Sequence, residues 1–154
     1  MIRRLQTFFQ LPAEEQLWAV VFVPGSLVAS LAVRMSRMNS ISARFGVRQA
    51  TNGLCVLADD EQQRKAWRIG QVMAAVGRNV PWRCVCMEEA LCVKWMLDWY
   101  RIPSATFLGA RLDDRNEKGM KAHAWISVGR SVVAGRSGHQ AFQVTAVFTQ
   151  TEFI

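Results

Sequence analysis

Paired cysteines are missing from this chain, and that absence excludes two classes at once. Its four cysteines, Cys55, Cys84, Cys86 and Cys92, contain no Cys-x-x-Cys spacing, and only His123 and His139 could join them as ligands, so no structural zinc or other metal site is expected. Four thiols in 154 residues are also too sparse for a disulfide framework. With no convincing signal-peptide cleavage site, reduced thiols and a cytoplasmic location are expected. Nor is there an unbroken run of about 20 apolar residues to span a bilayer. Leu17 to Val33 carries no charge over seventeen residues, but Pro24-Gly25 interrupts it and Glu14 and Glu15 precede it. A buried helix or a membrane-surface helix therefore fits better, which leaves peripheral membrane contact open. Lysine and arginine outnumber acids 19 to 12, yet they form no dense run and no aromatic ladder lies between them. No nucleic-acid partner is expected; the charge reads as a solvated face, or as attraction for an acidic peptide or an anionic membrane.

What is present is apolar enough to fold. The chain is 51% hydrophobic and 20% charged, which excludes disorder and suits one domain, or a small domain with a helical extension. Leu11-Pro12-Ala13-Glu14-Glu15 marks a helix start, with helices expected over about 13 to 23 and 26 to 38. Asp59 or Asp60 can cap a further helix to about Val76, on which Ala66, Ile69, Val72, Met73 and Val76 share a face. Gly77 to Pro81 ends it. A helix from Cys86 to about Arg101 follows, with Cys86, Ala90, Val93, Leu97 and Tyr100 on one stripe. From Pro103 the period becomes two: Thr106, Leu108, Ala110 and Leu112 share a strand face, and residues 113 to 119 form a polar connection. A strand over about 121 to 128 puts His123 and Trp125 on one face, Gly129-Arg130 turns, and strands near 131 to 134 and 142 to 149 complete an antiparallel sheet. Helices followed by such a sheet predict an α+β fold, with the Cys86 helix packed on the sheet.

The chemistry is concentrated in Cys86 and His123. A cysteine in the first turn of a helix meets unpaired backbone N–H groups and the positive end of the helix dipole, which stabilise a thiolate and can receive an oxyanion. A histidine on a neighbouring strand, 37 positions later, could take the thiol proton and return it to a leaving amine. The plainer alternative is a small buried hydrophobe beside a satisfied imidazole. Peptidase, acyltransferase and amidase chemistry share this pair and differ in what resolves the thioester. A non-catalytic module that docks a partner or membrane through Leu17 to Val33 is the remaining class. Glu88 and Glu89 are explained by the helix dipole, and His139 reads as a local hydrogen-bonding group. Trp18, Trp67, Trp95 and Trp99 read as packing residues, while Trp82 is a candidate site wall or contributor to an oxyanion pocket.

Three segments together carry a family resemblance: Pro81-Trp82-Arg83-Cys84-Val85-Cys86-Met87-Glu88-Glu89-Ala90-Leu91, Tyr100 to Gly109, and Lys121-Ala122-His123-Ala124-Trp125. The chain resembles the transglutaminase-like leader peptidases of lasso-peptide biosynthesis, in the form that lacks a fused recognition domain. The resemblance implies a transglutaminase/papain-like core over 59–154 preceded by a helical N-terminal region over 1–58. It implies a cysteine protease, without a cofactor, that removes the leader of a ribosomally made precursor peptide. A separate leader-recognition protein and a lasso cyclase are the implied partners. Cys86 falls on the nucleophile of the family's Cys-Leu-Glu-Gln-Ala-Leu pattern and His123 on its base, whereas Cys84 falls where the family requires none.

The wider family places an Asp about a dozen residues after the histidine, and this chain has Gly135 there, with no Asp or Glu between His123 and Glu152. A turn at Gly129-Arg130 would set Gly135 or Arg136 roughly opposite His123, and neither brings a carboxylate. Ser137 or Gln140 could orient the ring instead, as could a backbone carbonyl with Cys86 and His123 acting as a dyad. Asp113 or Glu117 would have to reach in from the polar hairpin.

Overall fold

Helix α1 is apolar on two sides, one turned into the fold and the other outward. In the computed structural model, which describes residues 9–35, 38–50, 56–113 and 116–150, α1 (Ala13–Met35) turns Trp18, Ala19, Phe22, Ser26, Ala29 and Ser30 inward. Leu17, Val20, Val21, Leu27, Val28, Leu31 and Met35 are exposed. Their spacing of three and four residues makes a second apolar stripe on the outer side. By length and composition α1 meets the criterion for crossing a membrane, and a third of its most apolar window is buried within the fold. The two helices expected on either side of Pro24-Gly25 are one. Pro24 lies on the exposed side, so the carbonyl it leaves without a donor can face water, and packing by Trp18, Phe22 and Ala29 holds the axis together. Ser26 Oγ donates to the Val23 carbonyl over 2.8 Å in the same turn.

A short helix α2 (Met38–Ser42) and a 3-10 turn lead into strand β1 (Val47–Gln49), then α3 (Asp60–Gly77) and α4 (Cys86–Trp99). Asp59 caps α3 in a full capping box: its Oδ1 accepts from Gln62 N over 2.8 Å, and Gln62 Oε1 accepts from Asp59 N over 3.1 Å. Ala66, Ile69, Val72, Met73 and Val76 are buried together, the stripe that the spacing predicts. Helix α4 is buried on nearly every side, and Tyr100 and Arg101, the latter at φ 54°, end it before Pro103. Its buried Lys94 pairs with Asp98, which also accepts from Gln150 Nε2 over 2.8 Å, tying the end of α4 to the end of the last strand.

The sheet comprises β2 (Ala105–Asp113), β3 (Asn116–Val128), β4 (Ser131–Ala134) and β5 (Gln143–Thr149) with β1, in the order β1-β5-β2-β3-β4, every pair antiparallel. Ala124, Ile126 and Val128 face the helices with Ala146 and Phe148. The hairpin differs from expectation: the strands continue to Asp113 and resume at Asn116, through a register shift after Leu112, rather than stopping around a polar connection. Backbone ladder bonds do not depend on apolar side chains, so polar residues can extend a hairpin. Trp18 is buried as expected, but Trp99 is 83% exposed and Trp67 is half-exposed under the Arg136 guanidinium.

Helix α1 is fastened to α3 and to the end of α4. Lys65 pairs with Glu14 at 2.8 Å and Arg68 with Glu15 at 2.7 Å. The Trp18 indole N–H donates to the Tyr100 hydroxyl over 2.9 Å, and Lys65 Nζ lies 4.0 Å from the Tyr100 ring centre.

Candidate active site

Cys86 is the first helical residue of α4, and Val85, which precedes it, has no side chain able to cap. Only half a capping box forms: Glu88 reaches back so that its Oε2 accepts from Val85 N over 3.3 Å. The Glu89 N–H closes on the Val85 carbonyl. The backbone N–H groups of the first turn otherwise have no carbonyl inside the helix to bond, so Cys86 stands where donors and positive dipole are concentrated. The side chain is half-buried and opens on a cleft of about 610 Å³.

His123 opens on the same cleft. Its cross-strand partner is Gly109, and a β-carbon there would come within 2.8 Å of the Trp125 ring. That missing side chain leaves room for an aromatic bed: His123 stacks on Phe142 at 4.9 Å and on Trp125 at 5.9 Å. Nε2 lies 2.7 Å from the carbonyl oxygen of Gly135. A carbonyl can only accept, so this contact places the proton on Nε2 and leaves Nδ1 as the lone pair that can take a thiol proton.

Gly135 also lines the cleft, just past the end of β4. Its φ is 65°, and a β-carbon on it would sit 2.1 Å from the Ala124 carbonyl oxygen. A register shift between Ile126 and Ser127 pairs Ile126 with Ala134, so that Gly135 follows the residue paired with Ile126, whereas an unbroken hairpin would set Arg136 opposite His123. The imidazole leans along the strand to the glycine carbonyl. Of the other candidate orienters, Ser137 is exposed at the mouth of the cleft, and Gln140 is exposed on a 3-10 turn outside its lining. The side chains of Asp113 and Glu117 lie outside the described residues.

Trp82 is engaged elsewhere: its indole N–H donates to Ser26 Oγ on α1 over 3.1 Å, and it does not line the cleft. His139 makes the local bond expected of it, Nδ1 to the Arg136 carbonyl at 2.7 Å. Burial pushes the Cys84 thiol up to about 11, with the Glu88 and Glu89 carboxylates adding to the effect. Cys92, buried in α4, is pushed up to about 12 by the same desolvation. Cys55 lies outside the described residues.

A model of the transglutaminase-like superfamily matches residues 27–147. The chain belongs to the transglutaminase-like superfamily. No curated protein and no solved structure matches it. Enzymes of this superfamily are generally cysteine peptidases and acyltransferases, and the transglutaminase-like fold here is the mixed α+β arrangement of helices and antiparallel sheet. The cleft also contains three residues that spacing did not single out for it: Glu89, Arg78 and Gly70. Glu89 had a readable signal, since three residues after Cys86 is the same helix face. Gly70 had none, because its importance lies in a close approach to Val133 of β4. Among the described residues, no group of three or more His, Cys, Asp and Glu could hold a metal ion.

Proposed function

We propose that this chain is the leader peptidase of lasso-peptide biosynthesis, with Cys86 as nucleophile and His123 as general base and acid. The observation that supports this most is the shared cleft: a cysteine at a helix start and a histidine whose Nε2 is occupied by a carbonyl, leaving Nδ1 for the thiol. The Cys86 thiol gives its proton to Nδ1, and the thiolate attacks the scissile carbonyl of the precursor. First-turn N–H groups of α4 stabilise the resulting oxyanion. The imidazolium then protonates the departing amine, which leaves as the new N-terminus of the core peptide. Water adds to the remaining thioester, gives a proton to His123 and releases the leader carboxylate, restoring the thiol.

The outward apolar stripe of α1 is the proposed docking surface for the leader-recognition protein, which would raise the local concentration of the tethered precursor. Cleavage should therefore be slow without that partner. The decisive experiment is mass spectrometry of the precursor after incubation with chain and recognition protein, comparing wild type, Cys86→Ala and Cys84→Ala. Loss of a discrete leader with wild type and Cys84→Ala but not Cys86→Ala is the expected result. Cleavage by Cys86→Ala would refute the assignment.

A further inference from the structure

The Gly135 carbonyl sets the tautomer of His123 only while the imidazole stays on it. A side chain from a strand that does not adjoin β3 supplies a second hold. Sheet order places β2 between β5 and β3, and neighbouring strands lie about 5 Å apart, so the start of β5 is about 10 Å from the β3 backbone. Phe142, extended at φ −110° and ψ 134° just before β5, nevertheless stacks on the His123 ring at 4.9 Å, with 28° between the ring planes.

Gly109 on β2 makes that reach possible. It pairs with His123 on one side and with Val144 on the other. A β-carbon on it would sit 2.9 Å from Phe142 Cβ and 2.8 Å from the Trp125 ring, so both side chains use the space over a residue that has none. The Arg111 guanidinium lies over the Phe142 ring, 5.1 Å from its centre, and Trp125, 5.9 Å from the imidazole, stacks on Phe107 at 5.6 Å. Rings packed in this way resist tilting, because a tilt gives up dispersion contact on both faces. We propose that Phe142 is a positioning residue for His123: passing over β2 where Gly109 leaves the way open, its ring keeps the imidazole on the Gly135 carbonyl with Nδ1 free for the thiol. This rests on the Cys86–His123 reading above and deepens it by naming the side chain that supports the base.

The placement of Phe142 makes it a clean probe. It is half-buried, is not part of the buried core and does not line the cleft, so its removal spares both the fold and the path of the substrate. The histidine signals are also separable. The chain has two histidines, and the Arg136 carbonyl puts the His139 proton on Nδ1, the opposite nitrogen from that of His123.

Three variants of the full chain test the proposal, each read by the ¹⁵N shifts of the His123 ring in alkaline buffer and by the alkylation rate of Cys86 with chloroacetamide at neutral pH. Phe142→Tyr keeps the ring and should retain the Nε2–H tautomer and a rate within about twofold of wild type. Phe142→Ala should mix the two tautomers and lower the rate on the order of 10-fold, the scale of a slightly misplaced catalytic group. Gly109→Ala, whose methyl displaces Phe142 and Trp125, should give the same mixing and loss. A wild-type tautomer and rate in Phe142→Ala or in a folded Gly109→Ala overturns the proposal, as does an equal loss in Phe142→Tyr. If Gly109→Ala does not fold, the two Phe142 variants decide. Neither readout needs a peptide substrate, so failure of wild type to cleave the precursor counts against the leader-peptidase reading alone. An alkylation rate that His123→Ala leaves unchanged counts against the Cys86–His123 pair, and the tautomer then decides for Phe142.

Discussion

The Nε2 atom of His123 is 2.7 Å from the carbonyl oxygen of Gly135, a main-chain group at the place where a side-chain acid would do the same job. The carbonyl fixes the tautomer and the ring plane, and it does so without adding a negative charge beside the imidazole. Because the orienting group is backbone, its position depends on the conformation of a single residue.

Gly135→Ala should therefore damage both stability and site. The added methyl meets the Ala124 carbonyl at 2.1 Å and forces an L residue to φ 65°. A loss of about 1–3 kcal/mol in urea unfolding is expected, with slower Cys86 alkylation under conditions where the variant is still folded. A stability and alkylation rate equal to wild type would show that β4 yields easily at this point.

Thiol reactivity should separate the cysteines. With Cys84 and Cys92 pushed up to about 11 and about 12, their thiolate fractions at about pH 8 are on the order of one in a thousand or less. Iodoacetamide labelling followed by peptide mapping should modify Cys86 well before either. His123→Ala should slow Cys86 and leave the other two unchanged. Preferential labelling of Cys84 would contradict the burial that raises it.

Stability on the acid side should depend on the α1–α3 contact. The hydrogen bond from Lys65 is the largest influence on the Glu14 carboxyl and lowers it; burial comes next and opposes it, and attraction from Lys65 and Arg68 leaves the net effect a lowering. A depressed carboxyl contributes stability above its unfolded value of 4.5, and that contribution is lost as pH falls through the lower folded value. Lys65→Met should flatten this part of the stability profile. The effect will be modest, since both side chains are about a third exposed.

Trp18 and Tyr100 should prove energetically coupled. Their 2.9 Å hydrogen bond joins α1 to the end of α4, with the rings edge-to-face at 6.0 Å. Tyr100→Phe should cost about 1 kcal/mol, and a double-mutant cycle with Trp18→Phe should return a coupling of similar size. Additive effects would mean that the Trp18–Tyr100 hydrogen bond contributes nothing beyond the separate contacts of the two rings.

Much of this architecture was legible in the residues. The stripe Ala66, Ile69, Val72, Met73 and Val76, the start of α4 at Cys86, and the turn after Val128 all follow from spacing and capping chemistry. The continuity of α1 through Pro24 did not, because it depends on which side of the helix the proline faces, and that is set by tertiary packing. The site was legible in part. Cys86 and His123, which open on one cleft, stand out by residue type and position, but the contact of His123 with Gly135 lies beside a one-residue register shift between β3 and β4 that no local pattern encodes. Trp82 looked like a site residue because it is near Cys86 in sequence, whereas its hydrogen-bond partner is on α1.

The outer stripe of α1 makes the free chain a costly solute. Seven large apolar side chains, from Leu27 at 40% exposure to Met35 at 84%, lie along a single helix face in water. At about 25 cal/mol per Å² of apolar surface, covering such a stripe recovers several kcal/mol, and the gain is available to any apolar body that fits it. Colloidal behaviour, rather than unfolding, will then set the concentration at which the isolated protein can be handled. A mild detergent should raise that limit without altering the cleft, which none of these side chains lines.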